Sequence, residues 1–284
     1  MKPFQYFEPS TLTEALEILH HYRERARVLA GGTDLVVQMK QAKMIPGAVI
    51  SLRQLQELNF IEVDSGIRLG PLVTMSQIAT HAKFDGRLSI LKEAALAVAD
   101  VQIRNLATVG GNIANASPSA DVPPALVALG ARLRLRNKNS ERVVALEDFC
   151  TGPFCTHLER DELLVEIFIS PIPEGGGAYA WMPKRTAIDE TLVGVGAWVA
   201  GEAPENTCRR VCLALSSVAP VPLRAYKAES FLHGKPLNSE NFRLAGEIAA
   251  EESSPRSRAD YRRALVSILT ETALERAVRR GRAC

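Results

Sequence analysis

Apolar residues along the first part of the chain recur with a helical period and then give way to short unbroken runs. Leu12, Ala15, Leu16 and Leu19 share one helical face, and Thr11-Leu12-Thr13-Glu14 reads as the capping box that starts it. Residues 27–30 predict a short strand running directly into Gly31-Gly32-Thr33-Asp34. Helical character resumes over 35–40, and 48–52 predicts another strand. The glycine pair therefore stands at a strand-to-helix junction. From about residue 58 the pattern changes: 60–63 and 67–70 flank Asp64-Ser65-Gly66 as a hairpin. Helices follow over 74–81, with Thr74 and Gln77 as a second capping box, and over 88–99. A second glycine-rich stretch, Thr108-Val109-Gly110-Gly111-Asn112-Ile113, leads through Ser117-Pro118-Ser119-Ala120-Asp121 into a helix with Pro123 in its first turn. Ala131, Leu133 and Leu135 alternate with Arg132, Arg134 and Arg136, the pattern of a half-exposed strand. Pro171-Ile172-Pro173-Glu174 before three glycines marks a domain boundary. Beyond it, strands near 178–183, 193–200 and 207–215 precede helices near 225–232, 239–251 and 258–280, an α+β order.

Composition narrows the class. The 284 residues leave room for about two domains and a sizeable core, and 46% hydrophobic with 23% charged residues excludes a disordered chain. Lys+Arg 34 against Asp+Glu 32 is too even for a dedicated nucleic-acid binder. No apolar run approaches the roughly 20 residues of a membrane helix. The opening residues lack the apolar core of a signal peptide, and five cysteines without a CxxC do not make a disulfide framework. A cytoplasmic mixed protein is expected.

The two glycine pairs are the first candidates for chemistry. Glycine between a strand and a helix permits positive φ and close approach of a ligand, and successive N–H groups there form an anion nest. Gly-Gly is also an ordinary turn. Two such stretches, each opening onto a helix, favour a diphosphate held between them. Neither fits the dinucleotide-binding G-x-G-x-x-G or the P-loop pattern.

Taken together, Ala30-Gly31-Gly32-Thr33-Asp34-Leu35, the Thr108 to Ile113 stretch and Ser117-Pro118-Ser119-Ala120-Asp121 resemble the flavoprotein subunit of the xanthine dehydrogenase and carbon monoxide dehydrogenase family. Ser257-Arg258-Ala259-Asp260-Tyr261-Arg262-Arg263 resembles that family's last-domain signature, and residues 149–164 its linker strand. The resemblance runs in order over the whole chain. It implies an α+β fold: a two-subdomain FAD-binding unit of the vanillyl-alcohol-oxidase/PCMH type, then a C-terminal α+β domain. The divisions implied are 1–57, 58–173 and 178–284. The implied role is the FAD-binding electron-transfer subunit of a molybdenum hydroxylase heterotrimer. Its partners would be a small subunit with [2Fe–2S] clusters and a large molybdopterin subunit, and its acceptor NAD⁺ or a quinone. Substrate oxidation would take place in the molybdopterin subunit.

Carried over residue by residue, the resemblance puts Ala30, Gly31, Gly32, Thr33, Asp34, Leu35, Thr108, Val109, Gly110, Gly111 and Asn112 around the FAD pyrophosphate. Asp121 would bond a sugar or ribityl hydroxyl, with an N-cap role for the helix from Val122 as its alternative, and Ser117 is similar. Lys184 matches a lysine near the isoalloxazine, where a cation stabilises the negative charge of reduced flavin; a solvated strand end is the plain alternative. Asp189 also fits the family pattern, or simply starts a strand. No catalytic side chain and no metal ligand is expected.

Other features carry less. Cys150 and Cys155, and Cys208 and Cys212, are read as ordinary thiols, because on a strand the second pair would stand about 13 Å apart. Of the five histidines, the adjacent His20 and His21 read as a solvated helix end. Residues 256–284 hold eight arginines, with Tyr261, Leu265, Ile268 and Thr272 as the expected inward stripe and the charges on the solvated face or docked to a partner. Two other functions stand beside the electron-transfer subunit. One is an independent flavin-dependent oxidase or reductase on the same fold, although the first glycine loop lacks the His or Cys that often tethers flavin in such oxidases. The other is a nucleotide-binding module without flavin chemistry.

Overall fold

The computed structural model describes residues 2–185, 190–202 and 206–282. The first unit contains β1 (Gln5–Phe7), α1 (Leu12–Tyr22), β2 (Ala26–Leu29), α2 (Leu35–Lys40) and β3 (Ala48–Ser51). β3 lies between β1 and β2 and is parallel to both, the geometry that helical crossovers permit. Leu12, Ala15, Leu16 and Leu19 of α1 cluster with Ala48 and Ile50 of β3. Thr11 caps α1 by accepting from the Glu14 N–H, but the return arm reaches one residue earlier, from the Ser10 N–H to the Glu14 carboxylate at 2.8 Å. His20 is not a free helix end: its Nδ1 lies 2.7 Å from Asp161 Oδ2.

The second unit runs through β4 (Ile61–Val63), β5 (Ile67–Leu69), α3 (Met75–Thr80), α4 (Ser89–Ala97), α5 (Val101–Arg104), α6 (Val109–Asn115) and α7 (Val122–Ala128). It continues with β6 (Arg132–Arg136), β7 (Glu141–Ala145), β8 (Cys150–Gly152), β9 (Cys155–Thr156) and β10 (Leu163–Ile169). The sheet order is β4-β5-β10-β6-β7, so the last strand in the chain inserts between β5 and β6. The 149–164 stretch, expected as one linker strand, is instead the small β8–β9 hairpin followed by turns, and strand structure resumes at Leu163. A bulge at 164–166 lets β10 serve two cores: Leu163 and Val165 pack into the first unit, Ile167 and Ile169 into the second. Buried Glu166 on this strand is clasped by Arg68 and Arg134, which come from the two neighbouring strands.

The third unit is the antiparallel sheet β11 (Gly176–Pro183), β12 (Thr191–Glu202), β13 (Thr207–Ser216) and β14 (Leu223–Arg224), followed by α8 (Tyr226–Leu232), α9 (Ser239–Glu252) and α10 (Ala259–Gly281). Its strands read as continuous apolar runs because both faces are covered. Ala178, Ala180, Val195 and Ala197 face the helices of their own unit, whereas Tyr179, Trp198, Cys212 and Ala214 join the core of the second unit. The expected stripe on α10 is not the buried one. Leu265 is buried, but Tyr261 and Ile268 are exposed, and Val266, Leu269, Ala273, Leu274 and Ala277 fill the interface instead. α10 lies against β11, β12 and α9 together, so the small residues that let a helix approach closely decide its orientation. Its far end is tied to α4 by the Arg280–Glu93 ion pair at 2.6 Å. Among the described residues no helix is long and apolar enough to cross a membrane.

Candidate functional site

The first glycine loop joins β2 to α2 and lies against the strip that precedes the second glycine pair. A Cβ on Gly31 would stand 2.0 Å from the Leu106 carbonyl oxygen, so only glycine lets the two strips meet here. Gly32 has φ +77°, the left-handed turn that swings the chain into α2. Among the described residues the N–H groups of Gly31, Gly32, Thr33 and Asp34 meet no acceptor. Four successive unpartnered donors in a turn make an anion cradle. Ala30 lines its β2 side, and Leu35 begins α2. Asp34 is exposed at the surface, and partial desolvation raises its carboxyl above the ordinary range.

The second glycine stretch differs from the expected open loop. Thr108 is an N-cap, and Gly110 and Gly111 lie inside the first turn of α6. The N–H groups of Val109 and Gly110 donate to the carbonyls of Val73 and Pro71, both at 2.9 Å. Those of Gly111 and Asn112 donate to the Thr108 hydroxyl and carbonyl. These donors are spent within the protein. What remains for a ligand is the side chain of Asn112, whose buried Oδ1 has no partner, and the bare surface of Gly111, where a Cβ would come 4.0 Å from the Ala30 Cβ. A turn of unpartnered N–H groups beside an orphaned buried amide oxygen suits a nucleotide diphosphate with hydrogen-bond donors nearby, so the residues present fit FAD.

Ser117 and Asp121 belong to a strip that reaches the third unit. The Ser117 hydroxyl lies 3.2 Å from that of Ser119. Asp121 precedes α7 but makes no side-chain cap, which removes the N-cap alternative. Its Oδ1 instead accepts from the Tyr179 hydroxyl at 2.7 Å. Burial raises the Asp121 carboxyl to about 6; Thr191 and Tyr179 pull it down, and the Glu190 charge adds to the rise. Tyr179, wholly buried, is held well above the usual phenol range by that burial and by the Asp121 charge. Lys184 is exposed just past the end of β11, with its backbone N–H on the Glu190 carbonyl at 3.2 Å. Asp189 lies outside the described residues. Burial raises the Cys150 and Cys208 thiols to about 11 and that of Cys212 to about 12, so all three are protonated at neutral pH. Nothing local in the sequence marks Tyr179 or Thr191, which meet Asp121 in the fold, or Ser216, which lies 3.5 Å from the Tyr179 hydroxyl.

A parallel three-stranded unit meeting an antiparallel one at an anion cradle, followed by a third α+β unit, is not the single doubly wound sheet of a Rossmann nucleotide enzyme. Residues 2–172 match the FAD binding domain in molybdopterin dehydrogenase, and residues 177–277 match the CO dehydrogenase flavoprotein C-terminal domain. The chain belongs to this family of FAD-binding oxidoreductase subunits. It is 32% identical to the carbon monoxide dehydrogenase medium chain of Afipia carboxidovorans, over 98% of each chain. It is 31% identical to the xanthine dehydrogenase FAD-binding subunit of Escherichia coli O157:H7, over 96% of this chain and 95% of that one. The solved carbon monoxide dehydrogenase of Hydrogenophaga pseudoflava that lacks the Mo-pyranopterin moiety superposes with a TM-score of 0.92 at 32% identity, covering 99% of both chains.

Proposed function

We propose that the chain is the flavin subunit through which a molybdenum hydroxylase complex discharges its electrons. When bound, FAD supplies the redox chemistry that joins the [2Fe–2S] clusters of a small partner subunit to an acceptor such as NAD⁺ or a quinone. A large molybdopterin partner would oxidise the substrate, and the complex would work in the cytoplasm. Within this chain the task is binding and orientation. The N–H groups of Gly31, Gly32, Thr33 and Asp34 would hold the diphosphate, between Ala30 and Leu35. Asn112 and the glycine surface of the 108–112 turn, with Thr108, Val109, Gly110 and Gly111, would form the opposite wall. Ser117 and Asp121 would take a sugar-type hydroxyl, and Lys184 would place a cation toward the ring end. We take units 1–57 and 58–173 as the two halves of the cofactor site and 178–284 as the unit that closes it.

The observation that carries this reading is the Gly31–Asp34 cradle pressed against the strip before α6. An absorbance spectrum tests it, first on the chain alone and then on the native complex that co-purifies with it. Flavin bands that broaden to longer wavelength when iron–sulfur partners are present are expected. A yellow protein without partners that turns over a small substrate would show an independent flavoenzyme. A colourless protein that cannot be reconstituted with FAD would overturn the reading.

A further inference from the structure

The strip 117–121 is held by the third unit at three points. The Ser217 N–H donates to the Pro118 carbonyl at 2.8 Å, the Ser119 hydroxyl donates to Glu190 Oε1 at 2.5 Å, and the Tyr179 hydroxyl donates to Asp121 Oδ1 at 2.7 Å. The third contact is the most constrained. Tyr179 has 0% exposure, and its N–H is anchored on Glu93 at 2.8 Å. Its ring lies against Trp181 with centroids 6.0 Å apart. A Cβ on Gly194 would fall 2.0 Å from the phenol oxygen, so β12 is pared to backbone where the hydroxyl passes. That hydroxyl has one short contact, Asp121, with Ser216 Oγ further off at 3.5 Å.

A phenol so fixed is a costly way to cap a loop, and a buried carboxylate is a costly acceptor for it. A hydrophobic pair of similar volume would join the two units with less penalty. We propose that Tyr179 is a positioning residue for the cofactor site, one that fixes the orientation of the Asp121 carboxylate so that this group can accept a hydroxyl of FAD. The inference rests on the FAD reading above and on Asp121 as its hydroxyl-binding residue. It makes the third unit part of cofactor binding through a residue that need not touch the cofactor.

The groups facing Asp121 set the electrostatics. They are the Tyr179 phenol of β11, the Thr191 hydroxyl at the start of β12 and the Glu190 carboxylate just before it. Ser216 of β13 lies behind the phenol. Glu190 in turn lies within electrostatic range of Arg262 on α10. Burial already holds the carboxyl up at about 6 with the phenol in place. Without that donor the carboxyl would hold its proton to higher pH, and the acceptor would be weakened near neutrality. The ionised carboxylate is the stronger acceptor, so FAD affinity should fall as pH drops through the Asp121 value of the cofactor-free protein.

The test titrates FAD into cofactor-free full-length protein, wild type and Tyr179→Phe, following flavin fluorescence between about pH 5.5 and 8. With the Asp121 proton held to higher pH in the variant, FAD is expected to bind up to about three-fold more weakly at pH 7 and up to about ten-fold more weakly at pH 6. Arg280→Gln, which loosens the third unit at its far end, should lower thermal stability and leave the pH profile of binding unchanged. Should Tyr179→Phe not fold, Asp121→Asn serves instead, with FAD affinity expected to become independent of pH over that range. A normal wild-type titration with an unchanged profile in Tyr179→Phe, or persistent acid dependence in Asp121→Asn, overturns the role of Tyr179 alone. Absence of FAD binding by the wild type overturns the cofactor reading and this inference with it.

Discussion

Replacing Gly31 with alanine tests the contact on which the cradle depends. The added Cβ would stand 2.0 Å from the Leu106 oxygen and 2.8 Å from its carbonyl carbon. An ordinary carbon–oxygen contact is about 3.3 Å, so the strips must part by more than about 1 Å. The carbonyl has little freedom to turn. The Leu106 and Ala107 N–H groups both donate to the Ile103 carbonyl, at 3.0 and 2.7 Å, and the Ala107 carbonyl accepts from the Met75 N–H at 3.0 Å. Overpacking of this kind costs about 1–3 kcal/mol, and backbone against backbone belongs at the upper end, about 3 kcal/mol. At about 2–4 °C per kcal/mol, the melting temperature should fall by about 6–12 °C. Gly111→Ala is the comparison. Its Cβ meets the Thr108 hydroxyl at 2.9 Å and the Ala30 methyl at 4.0 Å. Relief of glycine's helical penalty, about 1 kcal/mol, offsets much of that contact. Melting followed by circular dichroism, with FAD content measured on the same samples, separates the two variants. A Gly31→Ala protein that melts within about 2 °C of wild type and keeps its FAD would refute the close approach of the two strips.

Two further outcomes follow from the electrostatics and the thiols. Burial pulls the Glu162 carboxyl up, but the Arg142 guanidinium and the Glu159 N–H pull it further down, below its ordinary value. A lowered acid stabilises the fold above its ordinary pKa and loses that contribution as pH falls through the folded value. Arg142→Gln should therefore cost about 2 kcal/mol at neutral pH, and the difference from wild type in urea unfolding should narrow as pH falls below the ordinary carboxyl range. Among the described cysteines, exposed Cys155 should react with a thiol reagent in the native protein, while Cys150, Cys208 and Cys212 react when the protein unfolds. Rapid labelling of Cys208 or Cys212 in the folded protein, located by mass spectrometry, would contradict their burial.

Much of the secondary structure is legible because its causes are local. α2 coincides with the expected 35–40 helix, and the second capping box forms as read, with the Thr74 N–H on Gln77 Oε1 and the Gln77 N–H on Thr74 Oγ1. The three long strands of the third unit lie within a few residues of their expected places. A cap, a turn or a period of 2 or 3.6 is a relation among residues a few positions apart. The glycine pairs show where such reading stops. Both are Gly-Gly beside a helix, yet Gly31-Gly32 keeps its donors free while Gly110-Gly111 has them bonded, Gly110 to the distant Pro71 carbonyl and Gly111 to the Thr108 hydroxyl. Nothing within either hexapeptide distinguishes the two.

By itself, then, the sequence determined the kind of protein: the order of strands and helices, the glycine-rich stretches, and the run of signatures that mark a flavin-binding subunit. Tertiary structure decided which of those residues have chemistry left to offer. It spent the second glycine pair's donors on the Pro71 carbonyl and the Thr108 hydroxyl, rotated α10 so that Tyr261 and Ile268 face solvent, and joined His20 to Asp161 and Asp121 to Tyr179. Each outcome depends on which distant segment occupies the neighbouring space. That is settled by how close-packed surfaces fit together, and a local pattern of hydrophobic and polar residues leaves several such fits open.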